Sequence, residues 1–340
     1  MMEKIKVVIC GCGGIAGRWF ANAAGRDDAD IVGVVDILSE NTAKAKAKYE
    51  LNCGVYEDLA EAIAKTRPDV VFNITPPSAH FEVVTAALKN GCACFSEKPL
   101  SDSMESAYEL IRISDDTGQP FFVMQNRRYN KYIHGFKSLF CDEIIGKPGI
   151  LNSDFYIGAH FGGFRDAMDS PLIMDMAIHT FDQARFLTGA NPVSVYCHEY
   201  NPAWSWYARG ASATCIFEFD NGVLYTYRGS WCGDGCSTSW DANWRAVGKN
   251  GTAVWENDTV VYAEVVDNAA EQTKLIRKVK RVEPDLSYAG RAEHDGCIDA
   301  MFEALKRGKR AETDCRDNVK SLEMVFKAIE SAKTGKRVYW

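Results

Sequence analysis

No apolar run in the 340 residues approaches the ~20 residues that a membrane-spanning helix needs. Basic charge is short as well: 39 Lys and Arg stand against 46 Asp and Glu, a net charge of −7. That balance excludes a broad nucleic-acid footprint while leaving room for a local positive pocket. The opening "MMEKIKVVIC" lacks the pattern of an export signal and runs straight into strand-like sequence. No internal repeat and no low-complexity linker is visible. Without an export signal, twelve irregularly spaced cysteines read as reduced, mostly buried thiols of a cytoplasmic protein, not as a disulfide framework. Cys232 and Cys236 in "WCGDGCS" are the one tempting metal pair. No second Cys or His pair has matching spacing, so no metal is expected. What the chain does have is 46% hydrophobic residues, enough for the cores of two ordinary domains.

Up to residue 125 the pattern alternates. "IKVVICG", "ADIVGVVD", "PDVVFNIT", "CACFSEKP" and "PFFVMQN" read as strands. Between them, 14–25, 39–50, 56–65, 76–91 and 103–118 read as helices. Nearly all-apolar strands separated by helices predict a parallel sheet covered on both faces. From 126 to 340 the pattern becomes α+β. A helix is expected over 130–144 and a strand over 148–158. Hairpins are expected at Asn221-Gly222 and Asn250-Gly251, since Asn-Gly between alternating segments is a strong turn signal. Helices are expected near 291–307 and 315–333. The expected domains are therefore 1–125 and 126–340.

"VVICGCGGIAGRWF" sets Gly11, Gly13 and Ala16 in a G-x-G-x-x-A pattern between an apolar strand and a helix, with Gly14 and Ile15 inside it. Asp36 ends the second strand, about 20 residues further on. Gly11 permits a tight turn, Gly13 permits close backbone approach to a pyrophosphate, and the helix start offers free N–H groups. Asp36 suits the ribose hydroxyls of NAD and would repel the extra phosphate of NADP. Ile37-Leu38-Ser39 bring no cation to receive that phosphate.

"SPLIMDMAIHTFDQARFL" (170–187) reads as one buried helix, capped by Ser170 with Pro171 in its first turn. It contains no Lys and no Glu, yet it carries Asp175, His179 and Asp182. At about 100° per residue these fall within roughly 60° of one another. Buried charge is costly, so so narrow a polar stripe marks a candidate site. Trp204, Trp206, Trp231, Trp240 and Trp244 crowd the second half, either as core and interface or as faces for sugar rings.

Further motifs follow in order: "ITPPSAH" (74–80), "EKP" (97–99), "FR" (164–165) and D-x-A-x-H-x-x-D-x-x-R-x-L-x-G (175–189). With the glycine loop they resemble the glucose–fructose oxidoreductase, inositol dehydrogenase and rhizopine-catabolism (Gfo/Idh/MocA) family along nearly the whole chain. The resemblance implies an N-terminal Rossmann domain and a C-terminal α+β domain with a large, open, mostly antiparallel sheet. It also implies NAD(P)-linked chemistry on sugars, polyols or their derivatives. By the resemblance Lys98 is catalytic, with Asp175 and His179 as its partners. Asp182, Arg127, Arg128 and Arg165 are carried over as substrate-binding, and Thr75, Pro76, His80, Glu97 and Lys98 as cofactor-binding beside the glycine loop and Asp36. The chain departs from the family at "MDSP", where a glycine stretch is common, and at Ala177, where the motif has Gly.

The chemistry of the residues agrees. Oxidation of a CH–OH carbon releases a proton, which His179 or Lys98 suits. Lys98 ends a parallel strand, where open α/β sheets bind ligands, and a cation there stabilises a developing alkoxide. Asp182, one turn past His179, suits the role of holding its tautomer. Two rival readings remain: an NAD-requiring glycoside-cleaving enzyme of the same family, and a catalytically silent sugar or NAD sensor. A homodimer or homotetramer is expected, because strands such as "CIFEFDNGVLYTY" hold more apolar residues than one sheet face can bury.

Overall fold

The structure, a computed structural model, describes residues 4–273 and 275–340. The chain forms two compact units. One comprises the chain through Asn126 together with Arg291–Leu322, and the other comprises Arg127–Gly290 with Glu323–Trp340.

In the first unit, β1 (Ile5–Cys10), β2 (Ala29–Val35), β3 (Gly54–Tyr56), β4 (Val70–Asn73), β5 (Ala93–Ser96) and β6 (Phe121–Val123) form a six-stranded sheet in the order 3-2-1-4-5-6. Every pair is parallel. This is the doubly wound order whose reversal between β1 and β4 creates a ligand crevice at the strands' carboxyl ends. The connecting helices are α1 (Ala16–Ala24), α2 (Ser39–Lys48), α3 (Leu59–Thr66), α4 (His80–Lys89) and α5 (Met104–Thr117). The parallel sheet is thus as expected. β3 falls partly in the stretch assigned to a helix from Tyr56, because three residues are too few to show a period.

The expected second domain, 126–340, is not one continuous piece. The helix Glu293–Lys306 belongs to the first unit, where it packs on α1. Its Cys297, Ile298, Met301 and Phe302 are wholly buried. The Phe302 ring lies 5.9 Å from Phe72 and 5.5 Å from Phe95, which belong to β4 and β5. Charge secures the same contact: Asp299 pairs with Arg26, Lys306 with Asp28, and Asp295 accepts from the Asn22 amide. An apolar stripe and matching charges therefore carry this helix across a long gap in sequence.

The second unit is built on a nine-stranded sheet. Its strands are β7 (Pro148–Tyr156), β8 (Pro192–Tyr200), β9 (Ser212–Phe219), β10 (Leu224–Ser230), β11 (Asn243–Gly248), β12 (Gly251–Glu256), β13 (Val260–Val266), β14 (Val279–Val282) and β15 (Val338–Tyr339), in the order 14-13-12-11-7-10-9-8-15. All neighbours are antiparallel except β7 and β10, which run parallel at its centre. The hairpins fall where expected, and Gly222 takes the positive φ, +85°, that its turn requires. The helix Ile178–Thr188 lies against β7, and its Phe181 ring meets Phe217 and Tyr227 at 4.9 and 5.3 Å. All twelve cysteines are free and eight of them are buried. Among the described residues no helix is long and apolar enough to cross a membrane.

Candidate active site

The glycine loop has the shape its sequence implies. Gly11 has φ +93°, and a Cβ there would lie 2.5 Å from the Ile74 carbonyl oxygen, so no other residue fits. Gly13, Gly14 and Ile15 are exposed, and nothing lies within 4 Å of where a Cβ of Gly13 or Gly14 would sit. Helix α1 follows without a side-chain cap, and Ala16 is buried beneath the loop. Exposed backbone at an uncapped helix start fits a pyrophosphate.

At the end of β2, Asp36 is held by two backbone N–H groups: Cys12 donates to Oδ2 at 2.8 Å and Leu38 to Oδ1 at 2.9 Å. Asn41 donates to both oxygens at 3.2 Å. The carboxylate therefore has a fixed direction beside the loop. Burial first, and then the Asp36 charge, push the Cys12 thiol up to about 12, so it stays neutral. Ile37 and Leu38 beyond are 84% and 59% exposed and carry no charge, which fits the ribose of NAD better than a phosphate.

At the carboxyl end of β5, Glu97 is buried. Its Oε1 accepts from Trp19 Nε1 at 2.7 Å, and its Oε2 from the Lys98 N–H at 3.2 Å. His294 Nε2 lies 4.0 Å from Oε1, and its Nδ1 lies 3.3 Å from Asn126 Nδ2. Lys98 is half-buried and joins Pro99 through a cis peptide. Thr75 is half-buried and Pro76 exposed, next to the loop. His80 departs from its expected cofactor contact. It is wholly buried, and both ring nitrogens lie against backbone carbonyls, Nδ1 2.8 Å from Pro99 O and Nε2 3.0 Å from Thr75 O. No ring nitrogen faces outward, so any influence on a cofactor passes through those carbonyls.

In the second unit the motif helix is not one α-helix. Leu172–Ala177 is π-helical, and α-helical geometry resumes over Ile178–Thr188. Ser170 does not cap it. Ser170 has φ +49°, and its hydroxyl donates to Glu199 Oε2 at 2.9 Å. The uniform 100° projection therefore holds for His179 and Asp182 but not for Asp175, which lies in the wider turn. Wide turns of this kind recur at functional sites. Asp175 accepts from Arg165 Nε at 2.7 Å. The Arg165 guanidinium lies 5.1 Å from the Phe161 ring and 4.7 Å from that of Phe164. His179 is buried near the start of the α-helical part.

Two expected substrate ligands are instead joined to each other. Arg128 Nε and Nη2 donate to Asp182 Oδ2 and Oδ1 at 2.7 and 2.6 Å, with side chains only 5% and 1% exposed. Asp182 is thus buried in a bidentate ion pair and does not face outward. The reason is electrostatic: a carboxylate on a buried helix needs a partner, and a bidentate guanidinium is the strongest on offer. Arg127 is likewise anchored, its Nη1 3.2 Å from Asp241 Oδ1. Asp241 also accepts from Asn130 at 3.0 Å and from Gln183 at 3.2 Å. Nothing in the sequence singled out Asp241, His294 or Trp19, whose partners lie scores of residues away. The five tryptophans divide. Trp231 and Trp244 are core, Trp206 is half-buried, and Trp204 and Trp240 are 74% and 43% exposed. Phe161, Phe164 and Trp240 form an exposed aromatic border: Phe161 stands 6.4 Å from Trp240, and Arg165 lies over both phenylalanines.

Both parts of the chain resemble known proteins. Residues 5–125 match the description "Oxidoreductase family, NAD-binding Rossmann fold", and residues 164–339 match "Oxidoreductase family, C-terminal alpha/beta domain". The uncharacterized protein y4oX of Sinorhizobium fredii is 26% identical over 98% of this chain and 95% of its own. The inositol 2-dehydrogenase of Rhizobium meliloti is 30% identical over 56% of this chain and 57% of its own, so the match spans little more than half of that relative. An oxidoreductase from Agrobacterium radiobacter, solved in complex with NAD+, L-tartaric acid and magnesium, has the same fold, with a TM-score of 0.85 at 21% identity over 99% of this chain and 98% of the other. With both of its parts matched, this chain belongs to the Gfo/Idh/MocA family of oxidoreductases, and residues 5–125 are its NAD-binding Rossmann domain.

Proposed function

We propose that the protein transfers a hydride between NAD and the CH–OH carbon of a sugar, a polyol or a derivative of one. The observation that carries this is the second unit's combination of Asp175, gripped by Arg165, with exposed aromatic faces beside that pair. Charged hydrogen-bonding groups beside aromatic faces suit a ring with hydroxyls on its rim and C–H bonds on its faces. The named dehydrogenase relative acts on inositol, a compound of that kind. NAD, when bound, supplies the hydride acceptor. The chain's own residues handle the proton and the charge. His179 takes the hydroxyl proton, Lys98 stabilises the oxygen's negative charge or relays the proton, and Asp175 with Arg165 orients the substrate. A panel of sugars and polyols assayed for NADH formation tests the reading. If no member is turned over, it fails.

Cofactor choice follows from Asp36. The protein is expected to bind NAD more tightly than NADP, and Asp36→Ala to weaken NAD and narrow the gap. Calorimetric titration showing tighter NADP binding by the wild type would refute this.

We also propose that the protein is a homo-oligomer joined partly through the exposed face of the nine-stranded sheet. Ile150 and Leu224 are register partners there, 44% and 40% exposed, and Tyr196 and Tyr200 on β8 are 40% and 46% exposed. Light scattering is expected to give at least twice the mass of one chain. A particle of single-chain mass at micromolar concentration would count against it.

A further inference from the structure

The His80 ring faces two carbonyl oxygens, which only accept hydrogen bonds. A neutral imidazole has one N–H, so it donates to one carbonyl and turns a lone pair on the other; only the imidazolium has a hydrogen for each. Both carbonyls lie beside the cofactor loop or the lysine turn. Thr75 follows Ile74, whose carbonyl occupies the space a Gly11 side chain would need. The Thr75 hydroxyl is itself fixed on Asn73 Oδ1 at 2.6 Å. Pro99 follows Lys98. One buried ring thus links the backbone under the glycine loop to the turn that carries the lysine, all within the first unit.

We propose that His80 is a positioning residue of the cofactor site, fastening the Thr75 and Pro99 carbonyls fully only as an imidazolium, so that NAD binding acquires a pH dependence from a side chain that touches neither cofactor nor substrate. This rests on the NAD-binding reading of the glycine loop. Burial, the strongest influence, and the Lys98 charge oppose protonation of the ring, while the two carbonyls and Asp102 favour it. His80 is also the first residue of α4, where the helix dipole disfavours a cation. The ring therefore titrates below the ordinary histidine value of 6.5. The second bond forms as the pH falls through that lower value and is lost as it rises.

NAD affinity measured by calorimetry from pH 5 to 8 tests this, with thermal melting as the folding control. The wild type is expected to bind NAD more tightly toward pH 5, by up to about tenfold, one hydrogen bond's worth. His80→Gln keeps a donor but cannot gain charge, so its affinity should be independent of pH. His80→Phe fills the space without a donor and should bind most weakly. Independently of NAD, the ring nitrogen NMR shifts of the wild type should show both nitrogens protonated at the acid end. The proposal is overturned if His80→Gln keeps the wild-type pH dependence, or if the ring stays a single neutral tautomer throughout. A wild type that binds NAD with pH-independent affinity overturns this proposal alone, whereas one that binds no NAD overturns the cofactor reading beneath it.

Discussion

His179→Ala is expected to lower kcat by on the order of 10² to 10⁴, the usual worth of a positioned acid–base group, and Lys98→Ala by a similar factor. NAD affinity should change little in His179→Ala, because the glycine loop and Asp36 belong to the first unit and His179 to the second. The double variant should fall far short of the product of the two losses, since one hydroxyl loses one proton and groups serving a single event are not additive. If these residues only supported the fold, the variants would melt earlier while the folded fraction turned over normally. Melting and turnover measured on the same His179→Ala sample separate the two accounts. A folded, NAD-binding variant with normal turnover would remove His179 from the mechanism.

Arg128→Met should cost about 3–5 kcal/mol of stability, because it leaves the Asp182 carboxylate buried without its bidentate partner. That is a large share of the stability of an ordinary domain. Arg185, whose Nη1 lies 3.9 Å from Asp182 Oδ1, offsets part of the loss. The double replacement Arg128→Met, Asp182→Leu should recover most of it, since similar-sized apolar groups often replace a buried pair without penalty. Denaturant midpoints of the single and double variants measure both quantities. A single variant that loses under about 1 kcal/mol would mean the pair behaves like a surface bridge.

Local signals made much of this legible. Apolar strands, helices between them and Asn-Gly turns act over a few residues, so the parallel sheet and the hairpins can be read directly. The glycine loop is legible because Gly11 answers a backbone demand. What escaped depends on partners distant in sequence. A strand's period of two shows that β7 and β10 are strands, but not that they run parallel to each other. The stripe of Asp175, His179 and Asp182 was visible as charge on a buried helix. That Asp182 is taken up in a buried pair was not, because Arg128 lies 54 residues from it. The π-turn shifted Asp175 for the same reason: a 100° projection presumes the regular helix it is meant to test. The return of Glu293–Lys306 to the first unit follows from side-chain fit alone, which no short stretch of sequence displays.

That return has a consequence for synthesis on the ribosome. The aromatic row of Phe72 and Phe95 is laid down early, but Phe302 is made only after the whole intervening stretch Arg127–Gly290 has been translated. At about 5–20 residues per second the delay is on the order of ten seconds or more. During that interval the nascent Rossmann sheet presents an apolar surface that the finished protein covers. The half that looks most self-sufficient in sequence is thus the one that must wait, and be kept from aggregating, until nearly the end of its own translation.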